Sequence, residues 1–152
     1  MNEIYLKDVR SGYFDAEKLK IKFVDGYPQE VARELTDARP AMTNKQARSF
    51  FNAVNKVNTR VLTGAMDIND AIVELKMLKS RVNDKLSKGL VSNEFATFIN
   101  TNVDTVCTEK DLKAFTLHFE AVCNYLKSEI KAPGKFPGNN TYNNNNYKAN
   151  RR

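Results

Sequence analysis

The sequence predicts an all-α protein: a small bundle of about five helices with a loosely ordered N-terminal arm and a disordered, Asn-rich C-terminal tail. Apolar residues recur at steps of three and four through residues 28–131, and no segment alternates convincingly between hairpin turns. Linkers of about four to six residues favour antiparallel neighbours. We expect one helical domain over residues 1–131, with the arm at 1–25, and a flexible tail over 132–152.

The predicted arm shows neither a helical nor a strand period, so we expect it to be extended and packed on the body. Its apolar side chains are Tyr5, Val9, Tyr13, Phe14, Ile21 and Phe23. A short helix should follow, with Pro28 in its first turn and Pro40 beyond its end.

Local signals mark the ends of four longer helices. Residues that can accept a hydrogen bond from a first-turn amide stand before each apolar stripe, and glycine or proline stands after three of them. The predicted caps are Thr43, Asp67 or Asn69, Ser92 and Thr108, and the predicted stops are Gly64, Gly89 and Pro133-Gly134. Thr43 with Gln46 has the form of a capping box.

Composition excludes several classes of protein. No apolar run is long enough to span a membrane, and the N-terminus lacks a signal-peptide core, so we expect a cytoplasmic protein. Cys107 and Cys123 have no metal-ligand spacing and are expected to be small buried hydrophobic residues. Two tail tyrosines, Tyr142 and Tyr147, could stack on bases, but a disordered tail is the preferred interpretation.

Positive charge is concentrated in two segments. The chain has a net charge of +6, and residues 41–91 hold nine Lys or Arg against four Asp or Glu, while residues 132–152 hold four and no acid. A segregated excess of this kind is typical of a protein that binds a polyanion.

The helix that starts at Thr43 carries a basic ridge opposite its apolar stripe. The ridge is about 20 Å long at a rise of 1.5 Å per residue, and no acid interrupts it. Its members are Lys45, Arg48, Asn52, Lys56, Thr59 and Arg60. Such side chains donate hydrogen bonds to phosphate oxygens, so we predict polyanion binding here over a merely solvated face.

The following helix has a more mixed surface. Its cations are Lys76, Lys79, Arg81, Lys85 and Lys88, and Glu74 and Asp84 are available as partners. The Asp70 and Glu74 pair could suggest a metal site, but acids also suit the start of a helix. The structural interpretation is preferred.

No catalytic or cofactor constellation is evident. The single histidine, His118, lies beside an apolar stripe and is read as a packing residue, since no triad partner is arranged with it. Two cysteines and one histidine do not make a zinc site, and no phosphate-binding loop occurs. We therefore predict that the protein is not an enzyme, and that it has no metal and no cofactor.

Three segments resemble one known family, in order and with matching spacing. They are residues 43–54 (TNKQARSFFNAV), 74–82 (ELKMLKSRV) and 115–122 (FTLHFEAV). The chain is similar over about residues 28–131 to the small subunit, the second Csm protein, of the type III-A CRISPR effector. The resemblance implies an all-helical, non-catalytic ribonucleoprotein component of antiviral defence. Several self-associating copies would line the guide RNA–target RNA duplex beside the other subunits of the Csm complex.

The same resemblance implies RNA contacts on two helices. Lys45 and Arg48 fall in the first motif, and Lys76, Lys79 and Arg81 fall in the second. The ridge geometry adds Asn52, Lys56 and Arg60. Two alternatives stay open: a helical adaptor or dimerisation module whose basic face is only solvated, and a DNA-binding protein, which these long helices fit poorly.

Overall fold

The computed structural model describes residues 1–126, and within them it confirms an all-α fold, with one short hairpin as the only sheet. The elements are α1 (Glu3–Ser11), β1 (Phe14–Asp15), β2 (Lys18–Leu19), a 3-10 turn (Ile21–Phe23), α2 (Tyr27–Asp37), α3 (Asn44–Leu62), α4 (Ile68–Ser87), α5 (Asn93–Thr105) and α6 (Glu109–Tyr125). The predicted tail, and the last residues of the last predicted helix, lie outside the described residues.

The prediction of a loosely ordered N-terminal arm is wrong. The side chain of Asn2 accepts a hydrogen bond from the amide of Ile4 at 2.8 Å and caps α1, whose inner face buries Tyr5, Leu6 and Val9. The hairpin and the 3-10 turn then pass the chain to α2. Three short elements in 25 residues are each too brief to show a period, which is why the pattern was not visible.

The predicted ends of α3 and α4 are confirmed. Thr43 and Gln46 form the capping box at the start of α3, and Asp67 caps α4. Gly64 and Gly89 adopt φ values of +77° and +69°, the left-handed conformation that glycine reaches without a steric cost. The residue after each glycine donates a backbone hydrogen bond to a carbonyl in the last turn of the helix. Ala65 donates to Arg60, and Leu90 donates to Lys85, so both helices end in a Schellman motif.

The core positions α3 between α6 and α4, while α5 packs against α4 and α1, and α2 packs against α6. Aromatic rings fill the space between α3, α5 and α6 in edge-on, tilted and stacked arrangements. The members of this aromatic cluster are Phe50, Phe51, Phe95, Phe98, Phe115 and Phe119. Because α3 buries one stripe against this cluster, its opposite stripe is left to solvent.

Candidate nucleic-acid interface

The outward stripe of α3 consists of exposed polar side chains, as predicted. Lys45, Asn52, Lys56 and Thr59 are all exposed, and we call these four residues the α3 outer face. Lys45 and Lys56 are eleven residues apart, which separates them by about 16 Å and by only about 20° around the helix. Neither lysine takes part in an ion pair within residues 1–126. The α3 outer face therefore presents two free ammonium groups along one line.

Arg48 lies on the flank of α3 that faces α6, and it is half-buried, so the expectation that it would be exposed is wrong. Its Nη2 donates to Oδ1 of Asn124 at 2.6 Å, and its guanidinium carbon lies 5.6 Å from the centroid of the Phe51 ring. These contacts join α3 to the end of α6. The guanidinium has five N–H donors, and the recorded contact occupies one of its nitrogens.

Arg60 lies on the other flank of α3, because the twelve residues between it and Arg48 amount to about 120° of rotation. Its Nη1 contacts Oε1 of Glu74 in α4 at 3.2 Å, and both side chains are nearly half exposed. An exposed pair of this kind contributes at most about 1 kcal/mol. The predicted absence of acid along the ridge thus holds within α3, but α4 supplies one at its edge.

Arg81 lines a groove between α3 and α4, together with Val57 of α3 and Glu74 of α4. Its guanidinium carbon lies 5.2 Å from the centroid of the Phe50 ring, a cation–π arrangement that covers the edge of the aromatic core. Arg81 is exposed and has no ion pair within the described residues. It therefore extends the basic surface from the α3 outer face onto α4.

Lys76 and Lys79 are turned towards α5 instead. Lys76 lies five residues before Arg81, about 140° away around α4. The ammonium groups of Lys76 and Lys79 contact the carboxylate of Asp104 at 2.7 and 2.9 Å. Burial alone would raise the pKa of Asp104, but the hydrogen bonds from the two lysines outweigh it and hold this pKa below its usual value. The two lysines are thus partly neutralised.

Two amide side chains continue this contact between α4 and α5. Asn83 donates to Asn100 at 3.1 Å, and Asn100 donates back to Asn83 at 3.2 Å. We call Lys76, Lys79, Asn83, Asn100 and Asp104 the α4–α5 seam. No local pattern in the sequence pairs these residues, because the partners are 17 to 28 positions apart.

The eight predicted RNA contacts therefore fall into three groups. One group consists of the α3 outer face and the neighbouring exposed cations on the side of α4. Its members are Lys45, Asn52, Lys56, Arg60 and Arg81. Arg48 joins α3 to α6, and Lys76 and Lys79 belong to the α4–α5 seam. The geometry favours the first group as the surface on which a phosphate backbone could lie.

His118 is a packing residue, as predicted, and it is fully buried. Its Nδ1 lies 2.6 Å from the carbonyl oxygen of Phe23, and its Nε2 lies 2.7 Å from the hydroxyl of Tyr5. A carbonyl can only accept, so Nδ1 carries the proton and Nε2 accepts from Tyr5. Burial lowers the pKa of His118 to about 4, and the bond to Phe23 opposes that shift. The ring is therefore neutral near pH 7.

Asn102 extends the buried hydrogen bonds of His118. Its side-chain Nδ2 donates to the hydroxyl of Tyr5 at 3.1 Å, and its side-chain Oδ1 accepts from the hydroxyl of Tyr13 at 2.7 Å. We call Tyr5, Tyr13, Asn102 and His118 the buried polar network. Every member has a hydrogen-bond partner, and the network joins the N-terminal segment to α5 and α6.

The remaining sequence predictions have mixed outcomes. Cys123 is buried, but Cys107 is exposed after the end of α5, so its predicted burial is wrong. Glu74 pairs with Arg60, and no group of metal-ligating residues is found among residues 1–126. None of the helices in that part of the chain is long and apolar enough to cross a membrane.

A comparison with protein families identifies one match. The sequence model described as Csm2 Type III-A matches residues 18–131, which run from β2 through the end of α6 and beyond. α1 and β1 lie outside the matched residues. Comparisons with curated proteins and with solved structures give no significant match.

Proposed function

Because this chain belongs to the Csm2 family, the small subunit of the type III-A CRISPR Csm complex, we propose that it holds RNA by the phosphate backbone. The contact surface is the α3 outer face together with Arg60 and Arg81 on its α4 flank. The proposed ligand is the duplex of guide RNA and target RNA. Several self-associating copies line this duplex beside the other subunits, and the complex acts in the cytoplasm.

The observation that carries the proposal is the pair of free lysines on α3. Lys45 and Lys56 are exposed, lie on one line about 16 Å apart, and have no acidic partner within residues 1–126. Asn52 between them adds a neutral donor. Contacts of this kind fix a protein on a backbone without reading bases.

Backbone binding suits a guide-dependent complex. A guide changes sequence from one target to the next, so the protein that holds it must contact features common to all sequences. The α3 outer face has no aromatic platform on which bases could stack. Weak binding by one copy is sufficient, because neighbouring copies on the same strand raise the effective affinity.

A non-catalytic role is supported by the state of the one histidine. His118 is fully buried, neutral near pH 7 and hydrogen-bonded at both ring nitrogens, so it cannot reach a substrate. We propose that the subunit positions RNA, and that cleavage belongs to other subunits of the complex.

The test is fluorescence anisotropy of a labelled single-stranded RNA and a labelled duplex, titrated with salt. The variant is Lys45→Ala with Lys56→Ala, and the matched control is Lys7→Ala with Lys22→Ala, which removes two charges that are also exposed but lie elsewhere. Loss of two phosphate contacts should reduce the slope of log K against log salt by about 1.5. The control should bind RNA as the wild type does.

Two results would contradict the proposal. Equal losses in the test and control variants would show that net charge, and not the α3 outer face, determines binding. If the free chain does not bind, the same variants go into the reconstituted Csm complex. Unchanged target-RNA affinity there would leave the α3 outer face as a merely solvated surface.

The adaptor alternative is favoured by one observation on α4. Val73 and Met77 are exposed and stand one turn apart, which suits a protein contact. An adaptor would bind no RNA at any salt concentration, so the same titration separates the two functions.

A further inference from the structure

A groove lies between the hairpin and the outward side of α6. It has a volume of about 340 Å³, and its apolar wall is formed by Phe14 and Leu19 of the hairpin and Leu117 of α6. Phe14 and Leu19 are cross-strand partners and are half-buried, while Leu117 is 38% exposed. We call this feature the hairpin groove. Phe14 lies before the residues that match the family, whereas Leu19 and Leu117 lie within them.

The rim of the hairpin groove is charged. Lys110 and Lys113 of α6 line one side, and Glu17 of the hairpin lines the other. None of the three takes part in an ion pair within residues 1–126. The two lysines favour an acidic occupant. The chain's own residues 132–152 contain four Lys or Arg and no acid, so they are a poor electrostatic fit.

A complementary surface lies on α4. Asp70, Val73 and Met77 follow one another at three- and four-residue steps and so share one face of the helix, which we call the α4 outer face. Val73 is 61% and Met77 is 65% exposed. The carboxylate of Asp70 makes no ion pair or side-chain hydrogen bond within the described residues. This surface is apolar with an acid at one end.

We propose that the α4 outer face of a second copy of this chain docks in the hairpin groove. Asp70 and Met77 are seven residues apart, and so are Lys110 and Leu117, which is about 10 Å along either helix. A parallel approach therefore places Asp70 against the lysine rim while Met77 enters beside Leu117. Methionine adapts well to an irregular apolar wall. The inference rests on the self-association in the proposed function and names the surfaces that meet.

The two surfaces differ, so the contact is heterologous. α4 and α6 pack on α3 from its two sides, which places the donor surface and the acceptor groove on different parts of the molecule. Each copy can then offer its α4 outer face to one neighbour and its groove to another. Contacts of this type generate a row of copies unless the rotation closes a ring.

The test uses two variants of the full chain, each with one surface disabled. Met77→Glu damages the α4 outer face, and Leu117→Glu damages the hairpin groove. Both side chains are partly or largely exposed, so both variants should melt as the wild type does. The matched control is Ile4→Glu, which adds the same charge at an apolar side chain that is 72% exposed on α1.

The measurement is sedimentation velocity without RNA over a range of protein concentrations, which reports the strength of self-association. The wild type and the control self-associate, and each variant alone associates at least about tenfold more weakly. An equimolar mixture of the two variants forms a dimer, because one intact groove meets one intact α4 outer face and the remaining surfaces are disabled.

Other outcomes overturn the inference in distinguishable ways. Wild-type association by both variants would show that copies meet through other surfaces. A mixture that stays monomeric would show that the two surfaces do not bind each other. A wild type that is monomeric throughout would reject self-association itself, whereas RNA binding by the α3 outer face is measured separately by anisotropy.

Discussion

Lowering the pH from about 7 to about 4.5 tests the buried polar network, because the pKa of His118 is held at about 4 against a usual value of 6.5. Between these two values the unfolded chain binds a proton that the folded chain does not. The contribution of neutral His118 to the free energy of unfolding is therefore fully present above about pH 6.5, and it falls as the pH drops towards 4. The difference in pKa corresponds to about 3 kcal/mol in total, most of which is lost by pH 4.5.

The assay is urea denaturation followed by circular dichroism at several pH values in this range. Asp8 and Asp104 do not confuse it. Burial alone would raise the pKa of each carboxyl, but hydrogen bonds from Lys20 and Tyr27 to Asp8, and from Lys76 and Lys79 to Asp104, outweigh it and hold both pKa values below 3.8. Their contributions are present above about pH 4 and are lost only at lower pH. The slope between pH 6.5 and 4.5 therefore reports on His118.

The matched variant is His118→Gln. It should be less stable than the wild type by about 2–4 kcal/mol at pH 7, because Tyr5 and the carbonyl of Phe23 lose well-placed partners in the core. It should also lose the pH dependence between 6.5 and 4.5. A variant whose stability falls in parallel with that of the wild type, or a wild type whose stability is flat in this range, would refute the reasoning.

Three further changes test other parts of the fold by the same denaturation assay. Asn102→Ala should cost about 2–4 kcal/mol, because the hydroxyl of Tyr13 is left without its partner in the core; a loss below about 1 kcal/mol would contradict this. Lys79→Ala should cost less than about 1 kcal/mol, in a salt-dependent way, and leave RNA affinity unchanged, since the lysine contacts Asp104 at the surface. Gly64→Ala should cost about 1 kcal/mol from its positive φ alone, because no atom lies within 4 Å of the added Cβ.

The four longer helices could be predicted from the sequence because their signals are local. Thr43 and Gln46 lie three residues apart, and each apolar stripe of α3 to α6 repeats over at least three turns. The N-terminal segment has no such repetition. Tyr5 and Tyr13 are buried because Asn102 and His118 satisfy their hydroxyls, and these partners lie 89 to 113 positions away.

In the candidate site too, features set by one helix could be predicted from the sequence, and contacts between helices could not. The exposure of Lys45 and Lys56 follows from the period of one helix and was predictable. The partners of the other cations were not, because Arg48 contacts Asn124 on α6 and Lys79 contacts Asp104 on α5. Helical spacing shows which way a side chain leaves its own helix, but it does not identify the neighbouring helix that it meets.

The hydrogen bond between Tyr5 and His118 also sets an order of events during synthesis of the chain. Its partners are separated by 113 positions, which at ribosomal rates of 5–20 residues per second amounts to roughly 6–20 seconds. Until His118 is made, Tyr5 can meet Asn102 on α5, against which α1 packs, but its hydroxyl has no ring nitrogen to donate to. A nascent chain stalled before α6 emerges thus has an open buried polar network, and the release of α6 closes it.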